Sequence, residues 1–492
     1  MQKVNLNSVD DGATQGSKTS EQPLAQRIHR QRALASCFKL RSRVCQTYGL
    51  GLLTAVGLGL APSGVLAGGP AYEFHVVAYL GDAAPGGGVF NNDFEPTALN
   101  NRGQLAFTAE PDPTNGEAIF IADNNGLTQI ARYGQAAPGG GTFGQTEFGE
   151  IGINDSGDLA FGFAVGDVGN IFRWSHAHQA LSAVIVPDLT PVPDGSGVFV
   201  GAYGNTSINN QGAIAFIGNV TNPPPATFKF VPYRSGVFVA DRLGGISTVA
   251  QPGDAAPGGG TFISAGAMYA TAFGFLFFTI APGPYINDGG DVAFGGQVVT
   301  GTNLFNDTFG VYVRRFATGS MEQVPLPLGV APGVASSISI NNHGDVAFGV
   351  NSGDPGNYAF GSGLGVVCLN HGGSTVAITA LKDAAPGGGH FSTLGYEVRL
   401  NNRGDLAFTG QTDTHDQAVY VYQGATGDLQ RMGGIGTAIP GAGVIVDLNQ
   451  SGRLAGYTAF NDHGQIALVA NVTDGTTIRR ALLLATPSNG VN

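Results

Sequence analysis

Charge is scarce in this chain. Only 12% of its 492 residues are Asp, Glu, Lys or Arg, about half the usual share. Gly and β-branched residues stand where Leu, Glu and Lys would be needed, which argues against a helical bundle. Cysteine is scarcer, at 3 residues. Cys37 and Cys45 lie near the N-terminus, so the body of the chain keeps Cys368 alone and has no internal disulfide. Chemical signatures are missing too. No Gly-Lys-Ser/Thr follows the Gly-rich segments, so they are not phosphate loops. There is no G-x-S-x-G elbow and no calcium loop of the D-x-[DN]-x-[DN]-G kind. No strict Gly-X-Y period exists, which excludes collagen.

Glycine and apolar residues are plentiful. Glycine reaches 79 residues, 42% of the chain is apolar, and there are 30 Phe. That apolar content excludes a disordered tail. An ordered all-β protein with many tight turns fits this composition.

Residues 1–67 differ from the rest. They hold eight of the 23 basic residues and three of the 35 acidic ones. The apolar stretch from Leu50 to Leu66 follows, with a small-residue exit at Ala67. A basic region, a short apolar core and such an exit read as a Sec signal, with cleavage near Ala67. Its glycines and Pro62 make it a poor spanning helix. The expected division is therefore a basic n-region plus signal over 1–67 and a single repeat domain over 68–492. The second part holds 15 basic and 32 acidic residues, a balance of −17. Phosphate backbones repel such a protein, so nucleic acid is not an expected partner. The polar end LLLATPSNGVN does not read as an anchor. The expectation is a secreted, periplasmic or cell-surface protein with no transmembrane anchor after cleavage.

The dominant signal is internal repetition. N-x-x-G-x-[LIV]-A-F occurs from Asn100, Asn154, Asn209, Asn287, Asn341, Asn401 and, slightly changed, Asn461, at spacings of 54, 55, 78, 54, 60 and 60. Its glycines are Gly103, Gly157, Gly212, Gly290, Gly344, Gly404 and Gly464. A weaker copy from Asn449 reads as a drifted strand end. GDAAPGGG-like segments begin at Gly81, Gly134, Gly253 and Lys382, and a [GA]-[VI]-[FY]-[VI] strand follows the Asn motif. Each unit then reads as four strands. The first ends on the apolar residue before the Asn. Asn and Gly make the turn, because an Asn side chain bonds nearby backbone and Gly accepts positive φ. In the next strand Val346 and Phe348 face one way, Asp345, Ala347 and Gly349 the other.

Seven four-stranded units predict an all-β, seven-bladed β-propeller. Tyr72–Tyr79 resembles a fourth strand, and the chain stops at Ile478–Thr486, which resembles a third. Pairing the N-terminal strand into the last blade would close the ring and remove both sheet edges. A linear solenoid or tandem sandwich is the alternative, and neither needs that complementarity.

These alternating motifs resemble those of secreted bacterial tandem NxxGxxAF repeat proteins, the choice-of-anchor family. The resemblance covers nearly all of 68–492. It implies export and a β-repeat architecture, and it supplies no catalytic residues. The usual sorting tail is not evident in this chain.

No residue stands out as catalytic, cofactor-binding or metal-binding. Seven copies of Asn and Gly point to turn formers, because one active site needs one set of groups. Asp82, Asp254, Asp155, Asp288, Asp462, Asp158, Asp291, Asp345 and Asp405 read first as turn caps, with calcium as the open alternative. His176 and His178 share one face of a predicted strand but lack an evident third ligand. Ala265–Pro282, uncharged and strongly apolar, is either an extra strand or a contact patch. The functional expectation is a non-catalytic binding or scaffold module for an extracellular polysaccharide or protein. The alternative is a polysaccharide hydrolase or lyase with acids in the central channel.

Overall fold

In the computed structural model, the described residues run from 72 to 488. Omitted within that span are 113–115, 148, 203, 221–233, 273–274, 281–282, 301–306, 329, 331–334, 352–363, 451–452 and 455–457. The signal expectation for 1–67 lies outside the described residues. Leu66–Asn492 forms one compact unit.

The described elements are all strands, and they form a seven-bladed β-propeller. The strand β1 (Tyr72–Tyr79) precedes the first blade. That blade is a meander of β2 (Glu95–Leu99), β3 (Leu105–Asp112), β4 (Gly116–Asp123) and β5 (Gly126–Arg132). The strands that precede the Asn turns touch one another in a closed cycle, with β2 meeting its counterparts in both the second and the last blade. They are the innermost strands and wall the channel.

The ring closes as the two chain ends require. β1 pairs antiparallel with Ile478–Pro487, from Tyr72 opposite Pro487 to Tyr79 opposite Ala481. Ile478–Pro487 in turn pairs with Ile466–Thr473. Arg479 contacts Asp82 at 2.8 Å and lies 3.8 Å from the Tyr79 ring centroid, and Arg480 contacts Asp93 at 2.8 Å. The last blade thus takes its outermost strand from the start of the domain.

The repeat's alternation explains the core. Phe348 packs into the cluster shared with the preceding blade, whereas Ala347 packs into the cluster of the next. One face fills the gap and the other lets the neighbouring sheet approach. The motif Phe lies opposite an aromatic residue of the third strand in most blades: Phe107 and Phe120, Phe161 and Phe172, Phe216 and Phe238, Phe294 and Tyr312, Phe408 and Tyr420. In the fifth blade Cys368 takes that place opposite Phe348. Burial pushes its thiol up to about 12, so it acts as a small apolar side chain.

The GDAAPGGG segments are tight connectors. Gly86, Gly87 and Gly88 have φ of +82°, +103° and +82°, a run that only glycine adopts without strain. Asp82 and Asp254 accept backbone N–H bonds from Tyr79 and Gln251. The 265–282 segment holds a hairpin of Met268–Ala272 with Phe275–Ile280, inserted into the innermost strand of the fourth blade. The side chains of 268–282 lie outside the described residues. The weak copy from Asn449 is likewise a small hairpin, Asn449–Gln450 with Arg453–Leu454, rather than a strand end.

Candidate functional site

The seven Asn turns meet at one mouth of the channel. Each Asn Oδ1 accepts an N–H bond from the residue four positions on, and in all but Asn287 also from the residue two positions on, as Asn209 does from Gln211 and Ala213. The motif glycines complete the turn with φ between +76° and +84°. Each Asn Nδ2 donates to the backbone carbonyl of the equivalent Asn in the next blade, at 2.9–3.3 Å. The seventh bond, Asn461 to Asn100, closes the circle. The following residues form a second circle: Asn101, Asp155, Asn210, Asp288, Asn342, Asn402 and Asp462. Each backbone N–H donates to Oδ1 of the next, at 2.7–2.9 Å. Asn side-chain amides also donate to the second oxygens of Asp155, Asp288 and Asp462. Leu99, Ile153, Ile208, Ile286, Ile340, Leu400 and Phe460 line the mouth with these circles. The residues expected to form turns therefore also stitch each blade to its neighbour.

The acids after the motif glycine tie each turn to the loop after the third strand. Asp158 accepts from His176 N–H, Asp291 from Phe316 N–H and Asp405 from Gly424 N–H, while Asp345 meets His371 Nδ1 at 2.8 Å. Among the described residues no group of three or more His, Cys, Asp or Glu side chains could hold a metal ion. His176 and His178 lie in the turn after the strand, which ends at Ser175, rather than on a strand face.

Deeper in the channel lies a cluster that does not repeat. Two residues before the motif Asn, five blades hold small side chains, Ala98, Gly152, Ser207, Ser339 and Ala459, and the position two residues earlier is mixed. At these two positions the second blade holds Glu150, the fourth Tyr285, and the sixth Glu397 and Arg399. Arg399 Nη2 lies 2.8 Å from Glu150 Oε2 and 2.9 Å from Glu397 Oε2, and its Nη1 is 3.1 Å from the Tyr285 hydroxyl. Tyr285 donates to Glu150 at 2.6 Å, Asn205 Nδ2 donates to Glu150 at 3.0 Å, and Arg399 Nε donates to the Thr458 carbonyl. Blades two and six are not neighbours, so the Glu150–Arg399 pair crosses the axis. Glu150, Glu397 and Arg399 are 7–8% exposed. Burial first, and Glu150 among the charges, push Glu397 up to about 8. Burial and then the Glu150 charge hold the Tyr285 hydroxyl well above its usual value. Burial opposes the charge on Arg399, but Glu150 and Glu397 outweigh it and hold the guanidinium well above its ordinary value.

Sequence reasoning missed this cluster. Its signal was there: Tyr285 and Arg399 break a column that is otherwise small. Attention to what repeats hid what departs from the repeat.

A third feature is a cavity of ≈ 430 Å³ on the turn face, lined by residues of the sixth, seventh and first blades. Val421, Met432, Phe460 and Leu484 form its apolar part, and Arg102, Arg403 and His463 stand at its polar side.

A search of curated proteins finds no match. A model of a protein family of unknown function matches residues 52–337. Among solved structures, an oligogalacturonate lyase from Vibrio parahaemolyticus is similar at 11% identity, over 85% of this chain and 97% of that one, with a TM-score of 0.46. An oligogalacturonate lyase in complex with manganese gives 14% identity, 86% and 99% coverage, and a TM-score of 0.47. The β-propeller domain of the Trilobed protease from Pyrococcus furiosus gives 9%, 81% and 97%, with 0.43. At such identities the likeness is one of fold alone.

Proposed function

This chain belongs to that family, DUF7453, a family of unknown function, and we propose that it is a non-catalytic binding or scaffold module. The reading includes export by the N-terminal segment, kinship with the NxxGxxAF repeat proteins, and an extracellular polysaccharide or protein as ligand. One observation carries it. The acids that could do chemistry in the channel are spent on one another. Glu150 and Glu397 both hold Arg399, Glu150 also holds Tyr285 and Asn205, and the three charged side chains are nearly closed to solvent. A hydrolase or lyase needs a carboxyl group within reach of a bound chain. Here the carboxylates pin the blades together instead.

The test incubates the protein with a panel of extracellular polysaccharides and follows two readouts, retention on the polymer and the appearance of new chain ends. Retention with no new ends is expected, unchanged in Glu150→Gln. New ends that vanish in Glu150→Gln would overturn the reading and make the channel an active site.

A further inference from the structure

We propose that the cavity lined by the sixth, seventh and first blades is a ligand site for a small organic carboxylate with a compact apolar body. This deepens the binding-module reading and rests on it.

Beside the cavity, the sixth blade lacks a loop side chain that three other blades carry. In the second, third and fourth blades, a side chain from the loop after the third strand lies over the motif glycine of the same blade. A Cβ on Gly157 would come 3.0 Å from His176, one on Gly212 3.5 Å from Arg242, and one on Gly290 3.0 Å from Phe316. In the sixth blade that loop residue is Gly424, whose own Cβ would meet the Gly404 carbonyl at 2.5 Å. Backbone rests on backbone there.

The lining selects the occupant. The apolar part offers an aromatic ring, a thioether and two aliphatic side chains, which favour a compact apolar body. The polar side carries two guanidiniums, Arg102 and Arg403, and one carboxylate, Asp405. Arg102 is exposed, and its guanidinium makes no hydrogen bond or ion pair among the described residues. Arg403 is already held by Asp405, with Nη2 at 2.8 Å from Oδ2. The free cation at this site is therefore Arg102, with His463 beside it. A guanidinium matches a carboxylate in planar geometry. The apolar part gives nothing to a bare inorganic anion, and the unpaired guanidinium gives little to a neutral amide. A domain with a balance of −17 repels anions in general, so a local exception marks selection rather than non-specific attraction.

The test is a ligand-observed NMR titration of the protein with phenylacetate, phenylacetamide and inorganic phosphate. Phenylacetate binding is expected, at least about tenfold tighter than the other two, and weakened about tenfold by Arg102→Gln. Both Arg102 and His463 are exposed side chains, so Arg102→Gln and His463→Gln should fold as the parent does. Equal binding of phenylacetamide or phosphate, no binding of phenylacetate, or indifference to Arg102→Gln would each overturn the proposal. The two readings fail separately. Polymer retention without phenylacetate binding would sink the cavity and leave the module, and new chain ends with phenylacetate binding intact would do the reverse.

Discussion

A single Asn in this protein does two jobs with one side chain. Asn209 receives two backbone N–H bonds within its own turn and donates to Asn287 in the next blade at 3.0 Å. Asn209→Ala should therefore cost about 1–3 kcal/mol, because one buried and two part-buried hydrogen bonds go. Gln211→Ala, at the exposed tip of the same turn, should cost within about 0.5 kcal/mol. Denaturant melts of the two variants decide the matter, and equal losses would mean that neither the turn bonds nor the stitch stabilises the fold. The turn role was legible in the sequence because Asn and Gly are fixed while the residue between them varies. The stitch was not, since its acceptor lies 54 to 78 residues away. Nor was the meeting of Glu150, Tyr285 and Arg399, which come from blades that are not adjacent.

At the scale of one strand, Tyr72–Tyr79 is the clearest case of local pattern and global need agreeing. Its pattern marked it as a fourth strand without a blade, and the last blade lacked one. Removing it should leave Ile478–Pro487 with an unpaired edge, exposing backbone groups that template association. A variant beginning at Gly81 is expected to form oligomers or aggregates in size-exclusion chromatography and to lose protease resistance. A monodisperse, resistant product would show that the ring holds without its clasp. The inserted hairpins were less legible. Met268–Ala272 and Phe275–Ile280 announce themselves as apolar residues, but composition does not say where a hairpin attaches.

The whole molecule carries a pH signature along its axis. Glu397 is pushed up to about 8 and Glu95 to about 7, each first by burial and then by neighbouring carboxylates. Both exceed the ordinary 4.5, so the folded state holds these protons more tightly than the unfolded one. Their contribution is complete below pH 4.5, declines as the pH rises, and is gone above about 8. Thermal melts should show wild type losing stability from pH 5 to 9 relative to Glu397→Gln, by on the order of a few kcal/mol. Parallel curves would mean that Glu397 stays ionised throughout. The outer circle at the channel mouth has a different consequence. Around it run Asn, Asp, Asn, Asp, Asn, Asn and Asp, at 101, 155, 210, 288, 342, 402 and 462. Amide and carboxylate alternate, but an odd count cannot alternate all the way round. The leftover step, Asn342 beside Asn402, joins two neutral groups and keeps every carboxylate apart from its own kind. Parity thus constrains how such a ring can grow. Duplicating one Asp-bearing blade in place would set two carboxylates side by side, whereas duplicating a neighbouring Asn–Asp pair would preserve the order.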